Sequence, residues 1–421
     1  MWQPDRESMD REALGRLTLE RMRATLARVA GNATYLRRLG GVRPDDVTRL
    51  DDWRRLPFLT KDELRDAYPF GLACGGPYRR IHMSSGTTGN PILNPYTEGD
   101  VRQWGEVMAR CYVAAGVTRD DVIQITPSFG LFTGGFGFHY GAEQLGAMVI
   151  PTGAGRTLLQ LKLMRDLRAT VLTAIATYPL RLIEVAREES FDLGALALRV
   201  GIFGSEMWSD ELRSRIERDL RIRTFDIIGM TETGGPGLGI DCEARAGIHV
   251  WEDHDYVEIV DPATGRPCDD GVEGELVVST LTREGLPLVR YRTHDLTRVV
   301  SRDRCACGRT ALRLDRLRGR TDDMVIVKGV NFYPRQVETI LLRTAGVSHE
   351  YQIELASDAG GERMTIVVET DGEVDPAIAA RIRRELHDLL ALSPEIRLVP
   401  FGSIERPPGK AVRVVDRRAR Q

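Results

Sequence analysis

The chain has 421 residues, 42% of them hydrophobic and 28% charged, and a formal net charge of −3. That length exceeds one compact core and implies two or more domains. The slightly negative balance argues against a general nucleic-acid or membrane-surface binder.

The first residues, "MWQPDRESMDREALGRL", are charged and contain no apolar signal core. No run approaches the roughly 18 apolar residues of a membrane span. The expectation is a cytoplasmic protein without signal peptide or membrane anchor. Six cysteines in so long a chain do not make a disulfide framework.

In chain order, Leu14, Leu17, Leu19, Met22, Leu26 and Val29 recur at helical spacing, which predicts a helix over 9–39. "LPFLTKDEL" (56–64) predicts a loop and then a helix whose N-cap Thr60 faces Glu63 three residues on, a capping box. A helix is expected over 100–116, then buried strands at 120–126 and 147–153 with a Gly-rich helical stretch between them. The alternation continues with helix "LQLKLMRDLRA", strand "TVLTAIA", helix "PLRLIEVAREE", strand "LRVGIFG", helix "SDELRSRIERDL" and strand "TFDIIGMTE". Repeated β-α units with apolar strands imply a parallel sheet.

From about residue 250 the pattern changes. "YVEIVDPATGRPCDDGVEGELVVSTL" alternates apolar and polar around Gly/Pro turns, as antiparallel hairpins or a small barrel do. After "GRTDDMVIVKG" (319–329) come a helix at 333–344, strands at 350–356 and 363–370, and a helix at 375–392. That is a small α+β domain of about a hundred residues.

Chemistry is concentrated in a few stretches. "HMSSGTTGNP" (82–91) crowds hydroxyl and glycine residues into one loop. Glycines let backbone N–H groups approach phosphate oxygens, and hydroxyls add donors. The Walker A spacing is absent, and alone the stretch also reads as a surface turn. "GMTETGGPG" (229–237) puts Glu232 at the carboxyl end of a predicted strand, where α/β proteins bind ligands. "YRTHDLTR" holds Asp295 in a polar loop. "GRTDD" puts Arg320 and Asp322 at the domain junction, and "RPPGKAVRV" carries Lys410 in a Gly/Pro-rich loop.

Taken in that order, these stretches resemble the adenylate-forming superfamily, and within it phenylacetate-CoA ligases. "GLFTGGFGFHYGAEQLGAMVIPTGAGRT", "VGIFGSEMWSDELR", "GIHVWEDH" and "GELVVSTLTREGLPLVRYRTHDLTR" carry the resemblance further. It implies an α/β fold: a large N-terminal domain (1–321) with mostly parallel sheets plus a small β-barrel-like subdomain, and a small mobile α+β C-terminal domain (322–421) hinged near Asp322. It further implies an ATP-dependent ligase that converts an aromatic acid to its acyl-adenylate and then to an aryl-CoA thioester. The alternative acceptors are a carrier-protein thiol, an amine or nitrite.

The resemblance also assigns residues. Ser84, Ser85, Gly86, Thr87, Thr88 and Gly89 would hold the β- and γ-phosphates. Glu232 would ligate Mg²⁺, and Thr231 would donate to the α-phosphate. Asp295 would accept both ribose hydroxyls. Gly204, Ser205, Glu206, Asp226, Ile228, Gly229, Met230, Arg316 and Arg320 complete the nucleotide site. Lys410 would serve adenylation, and Lys328 would reach the site after rotation about Asp322. Phe129, Phe136, Gly204, Ile228 and Pro236 would line the acid pocket. Asn90 stands where the family usually has Lys, Ile228 where it has an aromatic residue, and "TAIATYPLRL" departs from the usual wording. Homodimers are expected by analogy.

A second cluster concerns metal. Cys242, His249, Cys305 and Cys307 supply three thiolates and an imidazole, a donor set suited to a closed tetrahedral structural Zn²⁺, with His254 as a rival ligand. Cys74, Cys111 and Cys268 read as plain thiols, and His82, His139 and His294 as packing or loop residues.

Overall fold

The computed structural model describes residues 1–84, 90–327, 330–358, 361–370, 372, 374–390, 392–405 and 413–418. The chain falls into two compact units, Met1–Ser205 with Ile216–Leu317, and Glu206–Arg215 with Arg318–Gln421.

The first unit is organised by a nine-stranded mixed sheet among the described residues. Five neighbours run parallel in the order Met148–Ile150, Val122–Ile125, Val171–Ile175, Val200–Gly204 and Arg223–Met230. Apolar runs such as "VLTAI" and "VGIFG" are buried on both faces, as parallel strands between helices require. Past Arg223–Met230 the sheet turns antiparallel through Gly235–Ile240, Ile248–Val250, Arg313–Leu314 and Val299–Ser301. Where hairpins or a small barrel are expected, the strands Asp255–Val260, Gly274–Thr280 and Tyr291–Thr297 pair antiparallel in sequence order.

Two local features differ from expectation and one agrees. The helix expected over 9–39 is two helices, Arg11–Val29 and Ala33–Arg38. Asn32 caps the second by accepting from the backbone N–H groups of Thr34 and Tyr35, so the first cannot run through it. The capping box at Thr60 and Glu63 opens the short helix Lys61–Asp66 as expected. A hairpin that the periodicity does not announce, Arg80–Met83 against Leu93–Tyr96, forms the stem of the Gly/Ser/Thr loop.

The second unit contains helices Pro334–Arg343 and Pro376–Leu390 and the strands Val347–Asp358 and Gly361–Thr370. Two further strands, Glu395–Pro400 and Val414–Asp416, add to the edges in parallel and complete a sheet of four. Its apolar residues, among them Ile353, Ile366, Ile382 and Leu386, form their own core.

Candidate active site and candidate metal centre

In the parallel half of the sheet, all carboxyl ends lie on one side, and three of the expected site segments leave from there. Val122–Ile125 leads towards Phe129, Val200–Gly204 runs into Ser205, and Arg223–Met230 runs into Thr231 and Glu232. Backbone crowding dictates glycine here: a Cβ on Gly204 would sit 2.2 Å from the Ile227 carbonyl oxygen, and one on Gly229 equally close to that of Gly235. Ser205 (φ 66°) and His294 (φ 67°) adopt left-handed backbone, an uncommon conformation that marks both candidate nucleotide segments.

Ser84 closes the mouth of the Gly/Ser/Thr loop. Its backbone N–H donates to the Ile92 carbonyl (3.0 Å), and its Oγ accepts from the Ile92 N–H (3.1 Å). Ser85, Gly86, Thr87, Thr88 and Gly89 lie outside the described residues, as do Lys328 and Lys410. From the outgoing strand, the Asn94 amide donates to the carbonyls of Thr231 (2.5 Å) and Glu232 (3.2 Å). The two predicted ligand segments are thus held together by one buried side chain.

Glu232 is buried, with its Oε1 3.4 Å from the Tyr291 hydroxyl and 3.8 Å from Lys61 Nζ. Lys61 escapes sequence reasoning because it reads as the surface first residue of a capped helix. Backbone bonds on either side of Leu59 to Arg290 and Arg292, both 2.9 Å, fasten its segment to the strand bearing Tyr291 and Asp295. Asp295 is buried on that strand, and its N–H donates to Thr293 Oγ1 (3.0 Å). Asp226 accepts from Arg316 Nε (2.9 Å). Arg320 makes a bidentate pair with Asp322 (2.8 and 2.9 Å). Glu206 falls in the second unit.

Phe129 and Phe136 meet edge to face at 5.2 Å. Phe136 continues into His82 (5.6 Å) and under the Arg80 guanidinium (4.4 Å), while Trp104 donates to the Pro236 carbonyl (2.9 Å). Burial pushes His82 down to about 4, so it is neutral at pH 7. Its Nδ1 lies 3.2 Å from the Leu131 carbonyl. Ile228 belongs with Leu238, Ile248 and Leu276 to one buried cluster, whereas its neighbour Ile227 belongs to the cluster against which Phe129 and Phe136 pack. Strand alternation puts Ile227 and Ile228 on opposite faces of the sheet.

The metal candidates converge at the antiparallel end of the sheet. The donor atoms of Cys242, His249, Cys305 and Cys307 all lie within 4.8 Å of one another. Cys242 Sγ is 3.8 Å from Cys305 Sγ, and His249 Nε2 is 3.4 Å from Cys242 Sγ and 3.5 Å from Cys307 Sγ. A tetrahedron with Zn–S of about 2.3 Å and Zn–N of about 2.0 Å has edges of about 3.8 and 3.5 Å. The residues therefore fit zinc in both chemistry and spacing. His254 is engaged elsewhere, with Nδ1 3.0 Å from Thr282 Oγ1 and Nε2 3.5 Å from Asp253. Cys74 and Cys111 are buried thiols pushed up to about 11 and about 12 by desolvation.

A family model for AMP-binding enzymes matches residues 81–282, and one for the AMP-binding enzyme C-terminal domain matches 329–418. The chain is 40% identical to the phenylacetate-coenzyme A ligase of Escherichia coli (strain K12), covering 98% of this chain and 97% of the relative. It is 38% identical to that of Thermus thermophilus, covering 99% of this chain and all of the relative. Among solved structures, 2-hydroxyisobutyryl-CoA ligase in complex with 2-HIB-AMP superposes with a TM-score of 0.90 at 26% identity, over 98% of this chain and 91% of that one. Among the described residues, no helix is long and apolar enough to cross a membrane.

Proposed function

Because the chain belongs to the phenylacetate-CoA ligase family of AMP-binding enzymes, we propose that it activates an aromatic carboxylic acid with ATP and transfers the acyl group to coenzyme A. A carboxylate oxygen attacks the α-phosphorus and pyrophosphate leaves. The CoA sulfur then attacks the acyl carbon, losing its proton, and AMP departs. The observation that carries this reading is the meeting of the Thr231–Glu232 turn with the strand leaving the Gly/Ser/Thr loop.

Bringing a carboxylate to a polyphosphate opposes like charges, so fixed donors and cations must shield them. Residues 84–89 cradle the β- and γ-phosphates, and Thr231 donates to the α-phosphate. Asp295 receives the ribose diol, and Arg316 fixes Asp226 beside the nucleotide. Glu232 would hold Mg²⁺, which supplies charge neutralisation when bound. Lys61, beside Glu232, supplies a cation that Asn90 does not. Lys410 and Lys328 keep the roles the family resemblance implies, in the first and second half-reactions. The acid lies against Phe129, Phe136 and Pro236. Cys242, His249, Cys305 and Cys307 would hold a structural Zn²⁺. A cytoplasmic homodimer completes the proposal by analogy, and light scattering reads the oligomer.

The test is pyrophosphate release across aromatic and long-chain fatty acids, with and without CoA, with products identified by mass spectrometry. Aryl-CoA and AMP are expected from aromatic acids. A preference for long-chain fatty acids, or AMP release indifferent to CoA, refutes the reading.

A further inference from the structure

We propose that Asn94 is a positioning residue that locks the Thr231–Glu232 turn onto the hairpin carrying the Gly/Ser/Thr loop, and that Arg283 fixes the direction of its amide. The inference rests on the nucleotide site proposed above.

Asn94 is fully buried. Its Nδ2 bonds the Thr231 and Glu232 carbonyls, and its Oδ1 accepts from Arg283 Nη2 at 2.9 Å. Carbonyls only accept and a guanidinium only donates, so just one of the two amide orientations satisfies all three partners. Neither Asp, which has no donor at neutral pH, nor an apolar residue of similar size meets that demand.

Arg283 is itself immobilised. Its side chain is 4% exposed, its guanidinium carbon lies 4.1 Å over the Tyr96 ring, and its Nη1 is 3.7 Å from Asp100 Oδ1. Asp100, also fully buried, accepts from the backbone N–H groups of Thr97 (3.0 Å), Glu284 (2.8 Å) and Gly285 (2.9 Å). The loop that delivers Arg283 is thereby tied to the start of helix Glu98–Ala114. The turn rests directly on this arginine: a Cβ added to Gly234, at φ 113°, would come within 3.3 Å of Arg283 Nη1.

A continuous chain of buried polar contacts therefore runs from Asp100 through Arg283 and Asn94 to the backbone of Thr231 and Glu232. Because it grips carbonyls, it leaves both side chains to the ligand. Preorganised groups of this kind stabilise developing charge without reorganising during the reaction. The prediction is specific: loosening the grip harms the step that needs Thr231 and Glu232 aimed at the phosphates and spares the step that does not.

The experiment compares Asn94→Ala, Asn94→Asp and Arg283→Lys with the wild type. ATP–pyrophosphate exchange is measured with whichever acid exchanges fastest, titrating Mg²⁺, so the result does not depend on the acid's identity. Thioester formation from supplied acyl-adenylate and thermal melting are measured alongside. Asn94→Asp should lower the exchange kcat about 100-fold and raise the Mg²⁺ concentration for half-maximal rate several-fold. The KM for the acid should stay within about threefold, and thioester formation should be nearly preserved. Asn94→Ala should fall between, and Arg283→Lys, which keeps Asn94, should lose about tenfold with the same split. If the Asn94 variants do not fold, Arg283→Lys decides. Exchange within threefold of wild type, or equal loss of both half-reactions alongside a lowered melting point, overturns the proposal. If only non-aromatic acids support exchange, the aryl assignment fails while the clamp stands on its own split.

Discussion

Removing the candidate zinc ligands should lower stability by a calculable amount. The Cys242 and Cys305 sulfurs lie 3.8 Å apart across 63 residues of chain. Treated as a cross-link, closing a loop of that length removes about 14 cal/mol/K from the unfolded ensemble, or about 4 kcal/mol at 25 °C. For a unit of roughly 300 residues, the unfolding entropy is about 0.6 kcal/mol/K, so the melting point should drop by about 7 °C. The perturbation is Cys305→Ser with Cys307→Ser, which leaves two donors, too few for a closed site. Calorimetry reads the melting point, and elemental analysis reads the metal. Wild-type protein grown with zinc should carry one zinc per chain and lose the same increment of stability to a strong chelator. Well under one zinc per chain, or a double variant melting within about 1 °C of wild type, refutes the reasoning.

Two further predictions concern charge. Lys61→Met removes the cation 3.8 Å from Glu232 and should slow pyrophosphate release about 10- to 100-fold while the fold survives; a rate within twofold of wild type counts against its role. Asp255 is buried, and desolvation together with the charge of Asp253, partly offset by Arg283, pushes it up to about 8. The folded chain therefore holds this proton more tightly than the unfolded chain, whose carboxyl titrates near 3.9. Stability then falls as pH rises between about 4 and 8, by up to about 1.4 kcal/mol per unit. Asp255→Asn should melt above wild type at pH 8 and converge with it towards pH 4, whereas a constant offset across that range refutes the assignment.

The parallel strands were legible as elements because runs such as "VLTAI" and "VGIFG" are buried and almost wholly apolar, whereas their order in the sheet was not read from the sequence. The candidate zinc ligands were legible because soft donors are rare, although only geometry separates them from the rival His254. The hairpin Arg80–Met83 with Leu93–Tyr96 was not. "RRIHM" carries charge at strand positions, and "LNPY" puts Asn-Pro inside a strand, a pair that reads as a turn. Lys61 was hidden for a related reason: local pattern explains it fully as a helix-opening surface residue, and only the pairing of Leu59 with the strand after Arg290 brings it to Glu232.

These omissions share a physical origin. A loop built for a ligand is constrained by the ligand's chemistry, so its composition is unusual and visible, as it is in the candidate stretches "SSGTTGNP" and "GMTETGG". The residues that aim such a loop are constrained by partners distant in sequence: Asn94 by a turn 137 residues on, and Arg283 by Asp100, 183 positions earlier. A buried amide satisfied by two carbonyls and a guanidinium has no local signature, because each partner is ordinary in its own segment. The motif therefore announces what is bound, while the accuracy with which it is bound is stored in side chains that the sequence presents as turn or surface residues. A mutation outside every motif can then leave the fold standing and still misaim the turn bearing Glu232.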